Sequence, residues 1–86
     1  MATDFIKERN EAVIEAFKGD YKKLYAYTKK WNGRVFYEQF KSATNEVKRA
    51  TVCKMICSIV SEEITPYKHE AEQWLIKKGM KPWVDV

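Results

Sequence analysis

Only three glycines, two prolines, two cysteines and one histidine occur in this 86-residue sequence. So few turn-forming residues leave most of the chain to regular structure. The two cysteines, Cys53 and Cys57, sit four residues apart and offer no disulfide framework. A small secreted domain normally needs one, so the expected compartment is a reducing cytoplasm. Long apolar runs are missing too. The longest is Leu24-Tyr25-Ala26-Tyr27, against the roughly 20 apolar residues of a membrane-spanning helix. Met1-Ala2-Thr3-Asp4 has no basic stretch leading into an apolar one, so no secretory signal is read and no membrane partner is expected.

What is present describes an ordinary folded chain. The apolar fraction is 45% and the charged fraction 33%, which suits a packed core and excludes a disordered segment. A chain of 10.2 kDa has room for one core, so residues 1–86 are read as a single domain.

Helical periodicity dominates. Plotted at 100° per residue, Phe5, Ile6, Ala12, Val13, Ile14, Ala16 and Phe17 fill one arc, and Lys7, Glu8, Glu11, Glu15 and Lys18 the other. Thr3 or Asp4 is the expected cap, and Gly19-Asp20 the expected end. Arg9 falls inside the apolar arc, where an arginine snorkels or pairs with a carboxylate. Glu62, Glu63 or a helix C-terminus is its expected partner, with a ligand-facing role as the other reading.

Asp20 is then expected to cap a second helix over about 21–31, with Tyr21, Leu24, Tyr25, Tyr27, Thr28 and Trp31 inward and the lysines outward. A rival reading is a β-hairpin over 25–37, because Asn32-Gly33 lies between two aromatic-rich segments. The segregation of lysines favours helix. A short helix is expected over Val35–Ala43, and a strongly apolar one over about 46–63, central to the fold. Thr65-Pro66 restarts a last helix, closed after Lys78 by Gly79 with Met80 folding back on Leu75.

Two segments, Lys7-Glu8-Arg9-Asn10-Glu11-Ala12 and Glu72-Gln73-Trp74-Leu75-Ile76-Lys77-Lys78-Gly79-Met80-Lys81-Pro82-Trp83, carry a resemblance. They resemble small uncharacterised helical proteins of bacterial and prophage genomes. The resemblance implies a mobile-element context and no particular activity.

Constellations for chemistry are sparse. There is no nucleophile elbow, phosphate loop or HExxH motif, and His69 is expected to face solvent. The chain therefore reads as a non-enzyme without cofactor. Cys53 and Cys57 fall short of the four ligands of a closed zinc site and read as buried small hydrophobes. Two features stand out. From Tyr21 to Arg34 the chain carries Lys22, Lys23, Lys29, Lys30 and Arg34 and no acid, a local +5 within a chain of +4. Such a stretch next to Tyr27 and Trp31 is either a solvated face or an anion and nucleic-acid contact. Tryptophan is the second feature. Trp83, with Val84 and Val86 behind it, is the candidate protein-interaction tail, since exposed aromatics anchor interfaces.

The expectation is an all-α bundle of four or five short helices around the 46–63 helix. Its leading function is a protein-interaction module, plausible as a phage-derived modulator of a host protein, with a protein partner or a second copy of itself. The alternative is a nucleic-acid-binding accessory protein that uses the basic 21–34 face.

Overall fold

The computed structural model describes residues 2–82 and contains five α-helices and no strand among them. They are α1 (Ala2–Phe17), α2 (Lys22–Tyr27), α3 (Gly33–Ser42), α4 (Asn45–Ser58) and α5 (Thr65–Lys77). A π-turn over Thr28–Asn32 joins α2 to α3. The all-α expectation holds, and the hairpin alternative over 25–37 is excluded.

The turns follow from local chemistry. Gly19 and Gly79 take positive φ, which costs glycine little. At both ends the chain closes by the same pair of bonds. Gly19 and Asp20 donate to the carbonyls of Ala16 and Glu15, and Gly79 and Met80 to those of Ile76 and Leu75. The Asp20 carboxylate accepts from the Lys22 amide at 3.1 Å, although the cap position of α2 is Tyr21, one residue later than expected. α1, however, begins at Ala2, so Thr3 and Asp4 lie inside it rather than capping it. Thr65 does not cap either. It is the first residue of α5, and its hydroxyl donates to the Ser61 carbonyl.

α4 lies between α1 and α5 and buries Ala50, Val52, Cys53 and Ile56. It is shorter than the expected 46–63 span, because the chain turns extended at Ile59 (φ −81°, ψ 127°). The Ser58 hydroxyl bonds back to the Met55 carbonyl, a local alternative to helix continuation. Ending there lets Ile59 and Ile64 enter the core from a loop, while Val60 is left 96% exposed. Ile6, expected inward, is also exposed.

Two polar side chains, the buried Asn10 and the half-buried Arg49, fasten the helices. Asn10 is fully enclosed on α1, and its amide donates to Ser61 Oγ at 3.0 Å and Glu63 Oε2 at 3.1 Å. Its own oxygen accepts from Arg9 Nε and a terminal guanidinium nitrogen at 3.3 and 3.2 Å. Arg9 is thus structural and meets Glu63 through Asn10 rather than by the direct pair expected. Arg49 on α4 donates to the Phe17 carbonyl at 2.9 Å, satisfying the end of α1. Its guanidinium carbon lies 4.6 Å from the Phe17 ring centroid and 5.0 Å from that of Trp74.

α3 is attached differently. Phe40 is its one buried residue among those described. The helix is held by rings: Phe40 meets Tyr21 and Tyr25 edge-on at 5.8 Å each, and Tyr37 meets Tyr25 at 5.9 Å.

Ile56→Ala should lower unfolding stability by about 2–5 kcal/mol in chemical denaturation. Val60→Ala should stay within about 0.5 kcal/mol; equal losses would refute this placement of α4. Arg49→Met should cost about 2–4 kcal/mol through the lost carbonyl bond and ring contacts. Arg49→Lys should recover little of it, since an ammonium lacks the planar fork.

Candidate functional site

The basic residues of the 21–34 segment all reach solvent, but they do not form one uniform face. Lys22 and Lys23 occupy the first turn of α2. Lys30 turns back to α1, 3.6 Å from Glu8 Oε2, with its ammonium 4.9 Å from the Trp31 ring centroid. Only Lys29 and Arg34 come together, on the wall of a cavity of about 330 Å³ shared with Tyr37 and Glu38.

The π-turn is responsible for this division. Thr28 is buried, and its hydroxyl takes the Tyr25 carbonyl at 3.1 Å. A side chain bonded into the helical ladder in this way accompanies local widening. Beyond it, Trp31 falls out of register with Leu24 and Tyr27 and is 46% exposed instead of inward. The Phe5 ring packs against it edge-on at 4.9 Å. Gly33 then turns the chain with φ +82° and ψ 172°.

A second surface, apolar rather than basic, lies where α3 approaches α4. Val47 is 53% exposed and forms a ridge with Thr51 one helical turn on. One cavity beside the ridge, about 490 Å³, is lined by Glu46, Val47, Ala50, Thr51, Lys54 and Met80. The other, about 170 Å³, is lined by Phe36, Gln39, Phe40, Ala43, Val47 and Thr51. Glu46 pairs with Lys78 at 4.0 Å, and Lys54 forms no ion pair among the described residues. The lining charges, Glu46 and Lys54, balance, and with Lys78 beside Glu46 it is Lys54 that is left unpaired among the described residues. Sequence reasoning missed this surface because Val47 is flanked by Glu46, Lys48 and Arg49 and looks like part of a solvated stretch.

The expected interaction residues Trp83, Val84 and Val86 lie outside the described residues. Pro82, just before them, is buried, and Met80 lines the larger cavity.

Cys53 is buried as expected of a small hydrophobe, whereas Cys57 is only half-buried. Burial pushes the Cys53 thiol up to about 11, with nearby Arg49 opposing the shift. Burial raises Cys57 as well, helped by the Glu72 carboxylate. Among the described residues no three His, Cys, Asp or Glu side chains gather as metal ligands. His69 is exposed on α5.

No family model, curated protein or solved structure matches this chain.

The Cys53 shift has a defined pH signature. Its folded value lies above the unfolded one, so its contribution to stability is intact below about pH 9. It is lost between about 9 and 11, where only the unfolded chain releases the proton. Denaturation midpoints should fall over that window, and the Cys53→Ala variant should lose this part of the fall. An unchanged profile in the variant would contradict the assignment.

Proposed function

We propose that this chain is a small non-enzymatic protein-interaction module whose α3–α4 face receives an acidic, amphipathic helix of a partner protein. The observation that carries the reading is the half-exposed Val47 ridge with a cavity on either side. An apolar ridge between two hollows offers the relief into which the side chains of a second helix interdigitate. Charge selects the partner. Glu46 is already met by Lys78, so Lys54 and the chain's net +4 favour an acidic segment. A modulator of a host protein is the role that agrees with the mobile-element context implied by the resemblance.

The nucleic-acid reading keeps one support, the exposure of Lys22, Lys23, Lys29, Lys30 and Arg34. It is weakened by the Glu8 carboxylate, which engages Lys30, and by the five cations not sharing one face. A phosphate backbone is recognised best where such acids are absent.

Affinity purification from the native cell with three forms of the chain separates the readings. Val47→Glu should leave folding stability within about 0.5 kcal/mol. It should cost partner affinity at least about 2 kcal/mol, as loss of a central contact does. The Lys22→Gln, Lys29→Gln double variant should retain the same protein. Recovery of nucleic acid that depends on those two lysines, with Val47→Glu behaving as wild type, would replace the proposal with the alternative.

A further inference from the structure

The 330 Å³ cavity at the α2–α3 junction is separate from the α3–α4 face and has a composition of its own. Arg34, Tyr37 and Glu38 follow one another at i, i+3 and i+4 on α3, which places them on one helical face. Lys29 reaches the same space from the π-turn. The widened turn and the positive-φ Gly33 bring these two segments to face each other; a continuous α-helix would carry Lys29 and Arg34 away along a rod.

Charge pairing leaves the cations available. Neither Lys29 nor Arg34 forms an ion pair among the described residues, in contrast to Lys30. Glu38 stands at the i+4 position from Arg34, where helical ion pairs commonly close, yet no such pair forms. Tyr37 is half-buried, its ring packed edge-on to Tyr25 at 5.9 Å with Lys41 5.8 Å from its centroid. Two free cations and a packed phenol in a small hollow suit a compact dianion, and the adjacent carboxylate suits a hydroxyl next to it.

We infer that this cavity binds the phosphate monoester of a small hydroxyl-bearing molecule, of sugar-phosphate size. The Arg34 fork and the Lys29 ammonium hold the phosphate, with the Tyr37 hydroxyl as a further donor. The Glu38 carboxylate accepts from a ligand hydroxyl. A volume near 330 Å³ matches the small end of ligand pockets. The site is independent of the protein-binding face, and either can fail without the other.

The test is titration of the full chain with ribose 5-phosphate, inorganic phosphate and dimethyl phosphate, followed by amide chemical shifts and calorimetry. Ribose 5-phosphate should bind best and dimethyl phosphate worst, with shifts at Lys29, Arg34, Tyr37 and Glu38. Affinity should rise as pH passes about 6, where the monoester loses its second proton. Lys29→Gln and Arg34→Gln should each weaken binding about tenfold, while Lys23→Gln should leave it unchanged. Glu38→Gln should tighten inorganic phosphate and remove the preference for the sugar ester. The inference is overturned by no saturation on the order of 10 mM ligand, a range weaker than ordinary metabolite binding. It is equally overturned by dimethyl phosphate or an oligonucleotide binding as well as the monoester, or by Lys29→Gln and Arg34→Gln that remain folded by circular dichroism and bind like wild type.

Discussion

Arg49 is the residue on which the arrangement of α1, α4 and α5 depends. One guanidinium nitrogen closes the carbonyl end of α1 at Phe17, while the plane is flanked by rings from α1 and α5. Arg49 is half-buried, and a charge drawn partly out of water is costly unless its donors are met. Here its Nε is buried without a hydrogen-bond partner among the described residues. The ring faces supply part of the compensation, because their quadrupoles attract a cation. A small core with Leu24, Ile56, Ile64 and Leu75 fully buried supplies cohesion in every direction. Arg49 supplies direction, since its hydrogen bond and ring contacts tie α4 to α1 and α5 at defined positions.

The Asn10 network does for the α4–α5 loop what Arg49 does for the helices. Its amide reaches Ser61 and Glu63, which the early end of α4 makes possible. Had the helix run on to residue 63, these two residues would have been carried along its axis. The break at Ile59 and the buried Asn10 are thus one feature seen from two elements. Together the two polar anchors fix the body of the fold and leave α3 to its ring contacts.

Much of this was legible in the sequence. The helical class, the closures at Gly19 and Gly79 and the central place of α4 follow from periodicity and cap chemistry. The exposure of Lys22, Lys23, Lys29 and Lys30 followed from their segregation on one arc. Other features were not legible for identifiable reasons. Asn10 lies in the same arc as Val13 and Phe17, but a lone asparagine beside an arginine in that arc carries no pattern that marks it as buried. Arg49 sits in a polar stretch, and nothing local distinguishes a cation between two rings from a solvated one. The π-turn coincides with the Thr28 hydroxyl bonded to a carbonyl of its own helix, and Thr51 makes such a bond in α4 without widening it. The end of α4 at Ser58 ran against an unbroken apolar pattern, because the pattern of a buried loop resembles that of a buried helix.

Gly33 carries a consequence for how the molecule breathes. A Cβ built there would meet nothing within 4 Å, so its constraint is torsional alone. Torsional constraints are local, and α3 beyond Gly33 contributes one buried residue to the body. The free energy needed to lift α3 away is therefore a fraction of that needed to open the α1–α4–α5 core. Local opening of this kind defines a separate cooperative unit. The α3–α4 surface, being made half from that unit, exists only while it is closed, so its availability is set by an equilibrium that the core does not control.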